Sequence, residues 1–236
     1  FQTWRKLWIT LAESEMELGL PITQDQIDEL RKYEKDINYD RAREIEKKTR
    51  HDVMSHVHAY GEQCPNAKGI IHLGATSAFV GGNTDVLLMR EGLERINGKL
   101  ANVLDNLGKF ADQYKNMPAL GFTHFQPAQL TTVGKRATLW MMDLIQDYHD
   151  IEYTIDTLML RGVKGTTGTQ ASYLNLFEGD HSKVQELDKK VAEKLGFTKT
   201  FPVTGQTYSR KLDSRVLNTL SGIGQSLHKI TNDLRL

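Results

Sequence analysis

The sequence predicts an all-α protein, with a group of N-terminal helices followed by a bundle of long ones. Three observations carry this. Apolar residues recur in steps of three and four along three extended stretches, which lays one seam down each helix. All five prolines fall between periodic segments, where a missing N–H costs no helical bond. Alternation with period two, the mark of a half-buried strand, is nowhere sustained.

In order along the chain, residues 2–18 read as a first helix that stops before Pro21. A second begins near Thr23, and a third covers roughly 40–60 ahead of Pro65. The break after it holds Gly69 to Ser77 and then Gly81-Gly82-Asn83-Thr84-Asp85, with Asn83 or Thr84 expected to cap the first long helix. That helix carries Val86, Met89, Leu93, Ile96, Leu100, Val103, Leu107 and Phe110. Asn97-Gly98 is a turn signal inside it, and a mid-helix glycine costs about 1 kcal/mol against alanine. Both residues fall off the seam, which continues in register, so one continuous helix is expected. Pro118 and Pro127 bracket a short loop, and Pro127 suits the first turn of the second long helix. The seam there runs from Leu130 through Ala137, Leu144 and Ile151 to Leu158. These two helices are expected at about 45 Å each, from a rise of about 1.5 Å per residue. After a glycine-rich loop at 161–172 and Pro202, Val216, Leu220, Ile223, Leu227, Ile230 and Leu234 mark the third. The expected division is an N-terminal helical domain over 1–75 and a long-helix bundle over 76–236. The chain opens inside one helical pattern and stops inside another, so both ends read as cut.

Charge and composition narrow the function. Thirty Lys and Arg balance thirty Asp and Glu, so neither nucleic acid nor an anionic membrane finds a net attractive field. No apolar run approaches the roughly 18 residues of a membrane span. Cys64 is the one cysteine and has no partner for an internal disulfide, which reads as a reducing, cytoplasmic setting.

Chemistry is expected in the polar breaks between the helices. His51, His56 and His58 are spaced by five and two, which shares no helical face, and Cys64 has no partner at zinc spacing. No metal is expected, and His56 and His58 read as ordinary helix-surface residues. Arg50-His51-Asp52 joins an anion donor, an imidazole and a carboxylate. On a helix these fan out by about 100° per residue, so they embrace a ligand only at a helix end or an exposed face. Otherwise they form a solvated charged patch. Thr123-His124 lies in the proline-bracketed loop, expected at a helix N-terminus whose dipole lowers the pKa of an imidazolium. An acid role near neutral pH then needs a carboxylate, which the residues alone do not identify. Gly162, Gly165 and Gly168 with Lys164 lack the Walker spacing, which leaves a nest for a carboxylate or monophosphate, or a plain loop. His72-Leu-Gly-Ala-Thr76-Ser77 offers two hydroxyls to a carboxylate.

Five blocks are more specific than any of these short signals. They are Arg50-His-Asp-Val, His72-Leu-Gly-Ala-Thr-Ser77, Gly121-Phe-Thr-His-Phe-Gln-Pro-Ala-Gln to Arg136, Arg161-Gly-Val-Lys-Gly-Thr-Thr-Gly-Thr-Gln170 and Thr204-Gly-Gln-Thr-Tyr-Ser-Arg210. In order and spacing, including the 73 residues from His51 to His124, the chain resembles the adenylosuccinate lyases of animals, a family within the fumarase/aspartase superfamily. The resemblance implies that superfamily's helical bundle, elimination of fumarate from succinylated amines of purine synthesis, and no cofactor or metal. It implies that His124 is the general acid with Thr123 beside it. His51, flanked by Arg50 and Asp52, then orients the substrate, Thr76 and Ser77 bind its succinyl part, and Gln206 contacts it. The implied partners are a small anionic substrate and further copies of the chain, in a homotetramer whose sites are shared between subunits. The family's serine base lies on a loop expected beyond Leu236, so residues 1–236 alone are expected to be inactive. Two rival readings are another lyase of the superfamily, such as an argininosuccinate lyase, and a non-catalytic helical assembly module.

Overall fold

The computed structural model describes all residues, 1–236. In chain order the elements are α1 (Gln2–Glu17), α2 (Gln24–Lys32), α3 (Tyr39–Thr49), α4 (Asp52–Gln63), α5 (Ser77–Gln113), β1 (Pro118–Thr123), β2 (Gln126–Thr132), α6 (Val133–Asp156), α7 (Ala171–Leu176), α8 (His181–Lys194) and α9 (Lys211–Arg235). Helices dominate, as expected, and the one sheet is a two-stranded antiparallel hairpin. Two compact units form, one from Phe1–Leu87 with Met159–Ser209, the other from Leu88–Leu158 with Arg210–Leu236. The division falls inside α5, whereas the expected one, at 75/76, lies just ahead of that helix. No helix is long and apolar enough to cross a membrane.

In the first unit α1 packs on α2 and α8. Leu7, Trp8, Leu11 and Ala12 recur at helical spacing and are all buried. Thr23 and Gln26 close a reciprocal capping box at the start of α2. The single helix expected over 40–60 is two helices. Arg50 ends α3 in the left-handed region at φ 50, and His51 restarts the chain as the extended N-cap of α4. Lys47 and Lys48 in the last turn of α3 and Asp52 in the first turn of α4 complement the two helix ends. The α5 helix begins at Ser77, six residues before the expected cap. Asn83 and Thr84 are buried inside it. Asn83 serves a tertiary bond: its amide donates to the Phe79 carbonyl at 2.9 Å, and its Oδ1 accepts the Gly162 N–H at 3.0 Å. As expected, α5 runs unbroken through Asn97-Gly98. Helices α7 and α8 are additional to the expected ones.

In the second unit the expected loop at 118–127 is the β1–β2 hairpin, and Pro127 lies in β2. Most side chains of these strands are exposed on both faces, which removes the alternation that reveals a strand. Gly121 marks the register shift, and a Cβ there would stand 2.7 Å from the Gln129 carbonyl oxygen. Thr132 caps α6, its side chain accepting the Lys135 N–H at 3.1 Å. Helix α6 packs against α9. Leu144, Ile151, Val216 and Ile223 of the expected seams are buried, whereas Leu130, Leu227 and Leu234 are exposed.

Candidate functional site

The helix break at residues 50–51 builds the first part of the site. With Arg50 left-handed and His51 extended, the His51 ring turns back over the N-terminus of α4, and its Nδ1 accepts the Met54 N–H at 3.4 Å. The proton of the neutral ring is therefore assigned to Nε2, which lies 3.1 Å from Ser77 Oγ and donates to it. That leaves the Ser77 hydroxyl proton free to donate onward. Asp52 Oδ1 stands 3.4 Å from His51 Nδ1 but accepts the Val53 N–H at 2.7 Å. Arg50, His51 and Asp52 are all exposed. The triplet thus sits at a helix end, one of the two placements in which its three side chains can converge on a ligand.

Thr76 is buried beneath this cluster, at the residue before α5. Its hydroxyl accepts from the Gln206 amide at 3.5 Å. Gln206 is held through its own carbonyl, which takes Arg161 Nε–H at 2.6 Å. Arg161 is fully buried, and its other donors reach the Gly162, Lys164 and Gly165 carbonyls at 3.3, 2.8 and 2.9 Å. One guanidinium fork thereby fixes the 161–165 turn to the 206 loop. Sequence reasoning gave Arg161 no role, since nothing local marks an arginine whose acceptors are backbone carbonyls. Lys164 is not part of a phosphate nest. Its ammonium is buried, donates to the Arg161 carbonyl at 3.1 Å and lies 3.8 Å from Asp188. Burial pulls its pKa down, against the pull of Asp188.

Two further imidazoles differ from the surface reading. His56 is buried and stacked on the Phe1 ring at 4.0 Å. Burial, above all, and Arg5 push its pKa down to about 4. His72 takes the Trp8 indole N–H on Nδ1 at 2.9 Å, and burial, with nearby His51, pulls it down to about 4. Both are neutral near pH 7. His58 is exposed, as expected. No three His, Cys, Asp or Glu side chains are grouped to hold a metal ion. Burial pushes the Cys64 thiol up to about 12.

Thr123 and His124 belong to the second unit, where Thr123 ends β1 and His124 opens the hairpin turn. His124 and Phe125 sit at φ 52 and 56, the left-handed pair that a two-residue primed turn demands. Neither is glycine or asparagine, so the turn carries backbone strain, and an imidazole stands at its tip. His124 is exposed and eight residues ahead of the Thr132 cap, so it is not placed at the N-terminus of α6 as expected. It stands at the far end of the hairpin from the first turn of α6, where the helix dipole acts. Beside the hairpin lies an open cavity of about 530 Å³, with Phe122, Phe125 and Trp140 on its walls and Lys135, Arg136 and Asp233 as its charged groups.

Comparison with known proteins follows the same lines. A family model described as Lyase matches residues 4–236. The chain is 54% identical over its whole length to the adenylosuccinate lyase of Saccharomyces cerevisiae, covering 50% of that protein. It is 47% identical over 99% of its length to the adenylosuccinate lyase of Schistosoma mansoni, covering 49%. A crystal structure of a fumarate lyase from a Mesorhizobium species superposes with a TM-score of 0.84 at 21% identity, over 99% of this chain and 53% of that one. A 3-carboxy-cis,cis-muconate lactonizing enzyme from Pseudomonas putida gives 0.83, also at 21% identity, over 98% and 52%. These two likenesses speak for the fold alone. The chain spans about half the length of the curated relatives it matches. With the family model matched along nearly every residue, on a fold of the same helical type, this chain belongs to the lyase family.

Proposed function

We propose that this chain works in an adenylosuccinate lyase, which eliminates fumarate from adenylosuccinate to leave AMP, and from the succinylated aminoimidazole carboxamide ribotide of purine synthesis. The observation that carries the reading is the donor cluster at the start of α4 and α5. His51 gives its Nε2 proton to Ser77, Gln206 gives an amide proton to Thr76, and Arg50 flanks them, so hydroxyl and guanidinium protons are left for an anionic ligand. Such donors suit the carboxylates and phosphate of a succinylated nucleotide.

Elimination removes a proton beside a carboxylate while the departing nitrogen gains one, so the site needs donors for the developing charge and a separate acid. In this reading Arg50, His51, Asp52, Thr76, Ser77 and Gln206 bind and orient. His124, with Thr123 beside it, protonates the leaving nitrogen from a strained turn that keeps the ring in reach of solvent and substrate. The assembly is a homotetramer with sites shared between subunits, in the cytoplasm, and the reaction uses no cofactor.

The test is fumarate release, read by absorbance, from adenylosuccinate, the succinylated ribotide and argininosuccinate, with the protein in its full length. Release from the first two alone is the expected result. Release from argininosuccinate alone would assign the rival lyase, and release from none would leave the assembly module.

A further inference from the structure

His72 is held from several sides. Its backbone lies in the left-handed region at φ 66, a strained conformation for a residue with a Cβ that persists only where the surroundings over-determine it. Trp8, 1% exposed on α1, donates its indole N–H to Nδ1 at 2.9 Å, with the two rings edge-on at 5.9 Å and 89°. The His72 carbonyl accepts the Ala75 N–H at 3.1 Å, which closes the turn leading to Thr76 and Ser77. An indole N–H is a donor only, so Nδ1 is the acceptor and the proton of the neutral ring is on Nε2. That nitrogen makes no hydrogen bond within the chain.

We propose that Trp8 is a positioning residue: its indole N–H fixes His72 as the Nε2–H tautomer, so that this imidazole serves an anionic ligand of the His51–Ser77 cluster as a donor and never as a proton acceptor. The functional half rests on the reading of that cluster as the substrate's anion site. The tautomer does not. Packing alone does not call for the pairing, because a phenylalanine, though smaller than the indole, would bury an aromatic ring on α1 without a donor. His51 lies close to His72, and its Nε2 faces the Ser77 hydroxyl at 3.1 Å. The turn from 72 to 77 therefore presents protons and no free base.

The experiment uses the full-length protein with nitrogen-15 in its histidines, as wild type, Trp8→Phe and Trp4→Phe. Trp4 is a fair control, since its indole N–H makes none of the chain's hydrogen bonds while its ring packs in the same aromatic group. Near pH 7 the wild-type His72 ring is expected to show a protonated Nε2 and an unprotonated Nδ1. Trp8→Phe should show exchange between the two tautomers. It should also raise KM for adenylosuccinate about fivefold or more, with kcat held within about twofold, as loss of one ground-state donor does. Trp4→Phe should change neither. A wild-type ring protonated at Nδ1, or already exchanging, overturns the proposal. So does an unchanged KM in Trp8→Phe. If Trp8→Phe folds poorly, the wild-type spectrum alone decides the tautomer. If wild type neither binds nor cleaves adenylosuccinate, the proposed function falls while the ring nitrogens still decide the Trp8–His72 pairing.

Discussion

His124 is exposed at the tip of a hairpin, so replacing it disturbs little packing and isolates its chemistry. His124→Ala is expected to slow fumarate release by ~10²-fold or more, the scale of a positioned acid, with the far-ultraviolet circular dichroism unchanged. A near-normal rate removes His124 from that role. Glu15 makes the opposite kind of case. It is fully buried on α1 with neither carboxyl oxygen hydrogen-bonded, and burial pushes its pKa up to about 9 from 4.5. The folded protein therefore holds a proton that the unfolded chain releases from about pH 4.5 upward. Between about pH 4.5 and 9 stability falls as pH rises, by up to about 1.4 kcal/mol per pH unit from this group. Glu15→Gln is neutral at every pH. Its urea midpoint is expected to gain steadily on wild type from pH 5 to pH 9, whereas parallel curves would show Glu15 ionised in the fold. Such residues divide what a sequence reveals from what it hides. Arg50, His51 and Ser77 stand out because they lie in short motifs that carry the resemblance, whereas by residue type alone the triplet at 50–52 reads equally as a solvated patch. The Trp8–His72 bond and the Arg161 clasp join residues 64 and 45 positions apart, and no local pattern encodes them.

At the scale of elements, periodicity located α1, α5, α6 and α9 because each is long enough for its seam to repeat. It could not see the two-residue break between α3 and α4, where three-four spacing resumes at once, nor a hairpin exposed on both faces. Its reading of Asn97-Gly98 leads to a paired prediction. Gly98 is an exposed interior position of α5 with open space around its Cα, so Gly98→Ala is expected to stabilise by about 0.5–1 kcal/mol. Gly168 is the contrary case. It sits at φ 80 in the loop that Arg161 anchors, and a Cβ there would overlap the Thr204 carbonyl oxygen. Gly168→Ala must drive the 161–170 and 204–206 segments apart, at an expected cost of about 3 kcal/mol or more. Urea denaturation of the two variants checks the pair, and equal shifts of one sign would refute it. Because Gln206 hangs on the same anchor, the destabilised variant should also bind adenylosuccinate more weakly.

At the scale of the whole molecule, the seams promise more burial than one copy delivers. In the second unit Val103, Phe110, Leu227 and Leu234 of the seams, and Leu139, Met142 and Leu217 off them, lie exposed along α5, α6 and α9. Heptad spacing tells which positions are apolar, not what covers them, so the sequence showed the need for burial without showing its source. Exposed apolar stripes on several long helices favour association, and in a closed homo-oligomer each stripe meets another copy. The proposed tetramer with shared sites makes this quantitative. If one site takes His51 from one copy and His124 from another, the variants His51→Ala and His124→Ala each spoil every site when assembled alone. Co-assembled in equal amounts at random, each site draws an intact His51 with probability of about one half and an intact His124 with the same. About a quarter of the sites are then whole, and fumarate release should recover to about a quarter of the wild-type rate. If both histidines of a site come from one copy, no mixture contains a whole site and the rate stays at the level of the separate variants. Refolding the two together from urea, with each refolded alone as the reference, separates these outcomes directly.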